Sequence, residues 1–594
     1  MKGRLIGRPF FFSYVCTMKL TVILVLCTVF YSKALAQKLG PQDTLLITNR
    51  TFGATDSLLQ IMDGFSSNFF FQAQQNTLCA TDFLKPGFVA FSEAKHTKKP
   101  FLFSALPHLG FGYGFGAQGS QLLRLDYEQA FAHHTLLNLR YDRWQRTGFM
   151  RADDLRFSGL QINFHQLGNA HEFQVSFSNA SDDRQWSGGL VNYTDLNSLA
   201  LDLIPVLKET ARTQKNTYDA TIQFRYRILG DSLKRLNLAS YHAFNLQQRL
   251  YQEQGNLALF YPETFLNTDT CTDTFRQQFL ENRVGLNWSA PRFQVSSLLG
   301  LKQRQWADPV QSYDTLEVNW NNELSYKGQH LHLLHSNRIN LKGAADGYRT
   351  QTKIKYTFVK TSLELQHQYS NEWPLLMQRG NMSNLTNYSW SSPQKERFQQ
   401  LNAQLSLSLN KLFLGFNLGL ATFANVYRFE QSSMFWTQFG LTSTGSYATA
   451  STQVKYQFGT FNLSTAYQYL AQNTAQFLPR HNASLSLVWK DGVFKDQRLK
   501  MAIEGKIQYQ SSFRALVYLP FIESIDWLAT QSAATQNGFI NAQLGMALEV
   551  KTFRFFVNVA NLGSFWNQET ISMVQGYPFP PLQIRLGLTW DFWN

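Results

Sequence analysis

From His108 onward, apolar and polar positions alternate with a period of two. Phe111, Tyr113 and Phe115 are interleaved with Gly110, Gly112, Gly114 and Gly116. Leu123, Leu125 and Tyr127 are interleaved with Arg124, Asp126 and Glu128, and Leu137, Leu139 and Tyr141 with Asn138, Arg140 and Asp142. Successive side chains of a strand point to opposite faces, so each such stretch predicts a strand with one apolar and one wet face. The C-terminal stretch repeats the pattern most clearly: Ile584, Leu586, Leu588, Trp590 and Phe592 alternate with Arg585, Gly587, Thr589 and Asp591. Its two aromatics sit where a membrane strand leaves the bilayer, the position of an aromatic girdle.

Parity across the turns ties these strands together. Across a two-residue hairpin turn, a continuous apolar face must pass from odd to even positions or the reverse. Leu405, Leu407 and Leu409 are odd, and after Asn410-Lys411 the apolar set Leu412, Leu414, Phe416, Leu418 and Leu420 is even. The same switch occurs across Gly459-Thr460 (Val454, Tyr456, Phe458 to Phe461, Leu463, Tyr467) and across Lys551-Thr552 (Leu544, Met546, Leu548 to Phe553, Phe555, Val557). Tight turns are expected after Ala130, Gln166, Leu229, Trp288, Tyr326, Phe358, Leu409, Phe458, Trp489 and Val550. Longer segments separate them, at about 181–216, 249–280, 371–397, 421–443, 511–536 and 563–581. Ten hairpins, the C-terminal strand and one strand over 108–116 predict an all-β fold. It is a transmembrane antiparallel β-barrel of about 22 strands, an even number, with short periplasmic turns and long outer loops.

Composition agrees with this fold. Mean hydropathy is −0.26, yet aromatics are 15% of residues. Beyond the N-terminus no run approaches the roughly 20 apolar residues of a membrane helix. Residues 1–36 read as an export signal: Lys19, an apolar run Leu20–Tyr31, then Ala34-Leu35-Ala36 as a small-residue cleavage site. That segment carries Lys2, Arg4, Arg8, Lys19 and Lys33 and no acid, so its removal would take the net charge from +14 to +9. No basic run of the nucleic-acid-binding kind appears. Residues 37–107 are irregular, an expected lead-in or partial plug, and 108–594 form the barrel. Cys79 and Cys271 lie outside the signal and could pair in an oxidising compartment.

The chain resembles a known family, the putative porins of Bacteroidetes-type outer membranes. Leu125-Asp126-Tyr127-Glu128-Gln129 and Thr147-Gly148-Phe149 are similar to its early strands, and Trp186-Ser187-Gly188-Gly189-Leu190 and Pro205-Val206-Leu207-Lys208-Glu209-Thr210-Ala211 to its first large loop. Asn558-Val559-Ala560-Asn561-Leu562, Tyr577-Pro578 and Arg585-Leu586-Gly587-Leu588-Thr589-Trp590-Asp591-Phe592 resemble its closing pattern. The resemblance implies an outer-membrane channel for passive diffusion of small hydrophilic solutes. The alternatives are a loop-plugged barrel for binding or secretion and, behind it, an outer-membrane barrel enzyme. The expected partners are outer-membrane lipid, the barrel-assembly machinery through the C-terminal strand, and small solutes, with no nucleic acid and no cofactor.

Alternation also marks the candidate pore-lining residues. The basic set includes Arg124, Arg140, Arg225, Arg227, Arg283, Lys353, Lys355 and Arg585, and the acidic set includes Glu504. The two signs are nearly balanced on this face, so no one-sign ring of the kind that sets ion selectivity is expected. Arg225 and Arg227 joined by Lys353 and Lys355 are a candidate basic stripe, and ion-paired wall residues are the plainer reading. His330 and His332 share the polar face at metal-ligand spacing but have no carboxylate or cysteine near in sequence, so wet wall residues are expected. In 181–216, Leu196, Leu199, Leu203, Ile204 and Leu207 are apolar for a solvated loop. They predict a segment folded over the mouth, with Asp195, Asn197, Asp202, Lys208 and Glu209 facing the path as a constriction.

Overall fold

The computed structural model describes residues 106–593, apart from short stretches within the connections between strands, the longest of them 567–575. Twenty-two strands form one antiparallel sheet. The sheet closes on itself: the first strand, His108–Gly116, pairs both with the second, Ser120–Ala132, and with the last, Gln583–Trp593. Closure leaves no unpaired edge, which a lipid-embedded sheet requires because no water is there to satisfy free N–H and C=O groups.

The closing seam shows how the sequence achieves this. His108 is buried at the end of the first strand, with Nε2 2.9 Å from Asp591 Oδ1 and Nδ1 3.8 Å from Glu128 Oε2. Its ring stacks on Trp593 at 4.0 Å between centroids. One side chain therefore engages the first strand's two neighbours. His108→Ala removes a partner from each of two carboxylates, one of them almost wholly buried. It should destabilise the seam by about 1–3 kcal/mol and lower the temperature at which the folded band is lost in heat-modifiability gels. An unshifted transition would mean the seam does not depend on this contact. Further along, a Cβ on Gly587 would stand 2.3 Å from the Phe556 ring. Phe556 lies over that glycine and packs inside the barrel with Leu122, Trp144, Leu155 and Ala547.

The outer face carries the apolar residues. On Thr270–Ser289, Leu280, Val284, Leu286 and Trp288 all point outward and are exposed. Beyond them on the same face stand Arg276 and Gln278, bonded at 2.8 Å, and Gln278 meets Gln305 of the next strand. The change from apolar to charged on one face marks where lipid ends. Within the band, outward-facing His242 and Asn282 satisfy each other at 2.8 Å. Aromatic pairs ring the tight-turn end: Phe293–Tyr326, Tyr356–Phe358, Phe458–Phe461 and Trp590–Phe592, with centroids 4.5–5.4 Å apart.

Two sequence expectations are corrected here. Segments 181–216 and 249–280 are not loops throughout. Strands His171–Gln185, Arg212–Gly230, Arg235–Gln254 and Thr270–Ser289 extend into them, leaving loops at 186–211 and 255–269. A strand of 20 residues spans about 66 Å, or about 46 Å when tilted, well beyond an apolar band of about 25 Å. The sheet rises above the membrane there with polar residues on both faces, so the alternation that marks a lipid-facing strand stops before the strand does. The connection after Trp489 is also longer than a tight turn: the strand continues to Gly492 and the next begins at Lys500.

Candidate functional site

The register shifts locally at Ala130/Ala132, Arg227/Leu229 and Val318/Asn319 and is regular elsewhere, so the inner face can be followed strand by strand from Gly110, Gly112 and Gly114. Arg124, Arg140, Arg225, Arg227, Arg283, Lys353, Lys355, Glu504 and Arg585 all fall on it. Most are ion-paired or hydrogen-bonded along the wall. Arg124 donates to Asp142 at 2.6 Å, and Arg140 lies 3.1 Å from Asp142 and 3.7 Å from Asp126. Arg225 meets Glu172 at 3.0 Å, Arg283 meets Glu281 at 2.8 Å, and Lys353 meets Glu364 at 2.7 Å. Glu504 accepts from Ser486 at 2.8 Å, and Arg585 donates to Gln583. Pairs between adjacent strands cancel each other's field within a few ångströms. The expected stripe of Arg225 and Arg227 with Lys353 and Lys355 does not form: the first pair lies on the sixth strand and the second on the twelfth, Tyr348–Thr357. Of the histidines, His330 Nδ1 donates to the Thr357 carbonyl (3.0 Å), and His332 stands opposite Lys355. Cys271 is a buried free thiol 3.2 Å from Asp273, while Cys79 lies outside the described residues.

The outer mouth is where distant parts of the chain meet. Loop 186–211 buries Leu190, Ile204 and Val206 against Met150, with Leu196 and Tyr577 packed alongside. It crosses loop 561–582 at two glycines. Leu190 N donates to Gly576 O (2.8 Å), and a Cβ on Gly189 (φ +100°) would stand 2.5 Å from Gly576 Cα. Gly189→Ala is both strained and too close, so it should separate these loops and expose them to added protease on intact cells, with barrel folding unchanged. Equal protease resistance would show that the crossing does not hold the loops.

Part of the burial expected of this loop is not realised: Leu199, Leu203 and Leu207 remain exposed. Its polar residues divide as well. Asp195 accepts from Asn192 at 3.3 Å beside a short 3-10 turn, Tyr193–Asn197, while the Asn197 side chain lies outside the described positions. Asp202 is exposed, and Glu209 pairs with exposed Arg151 at 3.3 Å. Lys208 alone is drawn in. Its Nζ lies 3.1 Å from Glu253 and over the Tyr261 ring at 4.2 Å. Burial pushes its pKa below the usual lysine value, against the opposing pull of the Glu253 carboxylate. Tyr251 and Tyr261 both donate to Glu253 at 2.7 Å.

Tyr261 also meets Phe521 edge-on, 5.9 Å between centroids. Tyr261 follows the seventh strand and Phe521 the nineteenth, so the two loops approach from nearly opposite sides. From a third direction comes loop 373–395. Asn384 N donates to both oxygens of Asp273 (3.1 and 3.0 Å). Asn384 Oδ1 accepts from Leu266 N and Asn267 N (2.8 and 2.7 Å), and Nδ2 donates to the carbonyls of Asn267 and Thr270 (2.9 and 3.1 Å). Met382 N donates to Asp308 (2.9 Å). Sequence reasoning passed over Asn384, Asp273 and Asp308. A lone Asn in a polar stretch carries no signal that it will meet a carboxylate 111 positions away.

A closed 22-strand barrel with an apolar outer belt, a polar inner wall and loops gathered over one mouth defines an outer-membrane transport barrel. The chain belongs to the putative porin family, whose pattern matches residues 137–594. No curated protein matches the sequence. Among solved structures the fold is similar to the copper transporter OprC, with 10% identity, TM-score 0.61, and 82% of this chain and 80% of that one covered. It is also similar to a mutant of the ferric enterobactin receptor PfeA from Pseudomonas aeruginosa (10% identity, TM-score 0.57, coverage 82% and 80%). The ferric-catecholate import receptor Fiu from E. coli K12 gives 10% identity, TM-score 0.55 and coverage of 82% and 81%. At such identities the likeness concerns the fold alone.

Proposed function

We propose that this outer-membrane barrel is a channel for passive diffusion of small hydrophilic solutes, narrowed at its outer mouth by interlocked loops. The observation that carries the reading is the inner wall, where polar and ion-paired side chains recur on every strand and offer a hydrated path. The reading assigns transport and no catalysis. Planar-bilayer recording of the purified protein tests it. Stable unitary conductance steps are expected, and larger ones after deletion of Asn192 to Thr210. A folded barrel that stays silent, with and without the deletion, rejects the channel.

The interlocked mouth favours a second reading, a loop-plugged barrel that binds its cargo. The proteins of similar fold include a copper transporter and a ferric enterobactin receptor. Silence in the bilayer together with saturable uptake by cells would select it.

A further inference from the structure

The inner wall is not chemically uniform. Two adjacent strands, Ser120–Ala132 and Thr135–Arg146, turn Arg124, Asp126, Glu128, Arg140, Asp142 and Arg146 inward. Five consecutive strands farther round, from Glu396–Leu409 to His481–Gly492, turn only Glu396, Lys455 and Lys490 inward, all near strand ends. At mid-depth the arc holds amides and hydroxyls: Gln404 faces Asn417, and across the border with strand Thr361–Glu372, Asn402 faces Gln366 and Gln400 faces Gln368.

The centre of the arc is shaped around Gly419, which lies between Asn402 and Thr449 in register. Asn402 Oδ1 and Thr449 Oγ1 lean over it, 2.7 and 2.5 Å from where a Cβ would stand. Gln400 and Asn402 are 4% and 8% exposed, and among the described residues Gln400 Nε2 and Asn402 Oδ1 have no hydrogen-bond partner. An amide flip would exchange donor for acceptor in either group without removing the need for a partner. A donor and an acceptor two residues apart on one strand face complement a hydroxyl, which both accepts and donates. An ion would satisfy only one of them and would lose hydration without a counter-charge. On the next rung, Phe398 faces Phe423, both buried, and the Phe423 ring covers Gly445. Apolar ring faces beside amides suit a solute with C–H surfaces and many hydroxyls.

We propose that this arc recognises neutral polyhydroxylated solutes of the saccharide or polyol class; the inference rests on the channel reading and names the class of solute the channel takes.

The test uses the full-length protein in planar bilayers with maltotriose as the probe and citrate as a charged comparison. Maltotriose should reduce the ion current in a saturable way, and citrate should do so far less. Asn402→Leu should raise the half-blocking concentration about tenfold, the loss of one buried hydrogen-bonding group. Thr449→Val should act in the same direction, and Gln161→Leu, on the opposite wall, should change nothing. If Asn402→Leu fails to give a folded barrel, Thr449→Val carries the comparison. A conducting channel that maltotriose does not block, or blocks equally in all variants, overturns this inference and leaves the channel intact. A silent barrel that still binds maltotriose by calorimetry, with binding weakened by Asn402→Leu, rejects the channel and keeps the recognition wall.

Discussion

Replacing Asn384 by alanine should open the outer mouth. The side chain makes four hydrogen bonds to backbone groups of loop 255–269 and the strand that follows it. Its residue is 1% exposed, and its backbone N–H holds Asp273. Alanine leaves two backbone N–H groups and two carbonyls without their partner, at about 1–3 kcal/mol each while they stay buried. The loops relieve that cost by moving apart into water. Strand pairing is untouched, because Asn384 lies outside every barrel strand. The expected result is a several-fold rise in unitary conductance and faster protease cleavage within 373–395, with an unchanged thermal transition of the barrel. Cleavage without a change in conductance would place the constriction elsewhere, first among residues 37–107, of which 37–105 lie outside the described residues.

The second large effect concerns the lipid face. Leu586 points outward beside Ile584, which is 53% exposed. A Lys or Arg on the lipid-facing midplane of a barrel costs roughly 2–4 kcal/mol, so Leu586→Arg should sharply reduce the amount of folded, heat-modifiable barrel. The matched control is Thr589→Lys, which places a charge on the inner face of the same strand and should assemble normally. Gly587→Ser is not a neutral control, although it too lies inward: its Cβ would meet the Phe556 ring at 2.3 Å and the Tyr113 carbonyl at 3.0 Å. Equal yields of Leu586→Arg and Thr589→Lys would refute this placement of the two faces, and loss of Thr589→Lys alone would mean the strand is inverted.

Much of this architecture is legible without coordinates. The parity switches across Asn410-Lys411, Gly459-Thr460 and Lys551-Thr552 reappear as the hairpin pairs Leu409↔Leu412, Phe458↔Phe461 and Val550↔Phe553. The alternation of Phe and Gly over 108–116 marks the strand that closes the sheet. Parity alone also places Arg124, Glu504 and Arg585 on the inner face, since that placement follows from the backbone once the outer face is known.

What escaped reading is long-range and carries no period. Strand ends above the membrane were missed because neither face there is apolar, as at Arg276 and Gln278. The separation of Arg225 from Lys353 depends on counting every intervening strand, not on either residue's neighbours. Sequence determines an antiparallel barrel here because lipid enforces one simple rule, apolar outside, at every second residue of every strand. The loop contacts answer to no such field: Gly189 against Gly576, Lys208 against Glu253 and Asn384 against Asp273 form only once the closed wall has brought those loops to one mouth. The sequence alone determined the strands, their faces and their number. Only the tertiary structure decided which loops meet over the mouth, and which neutral arc of the wall, around Gly419, stands opposite the charged one.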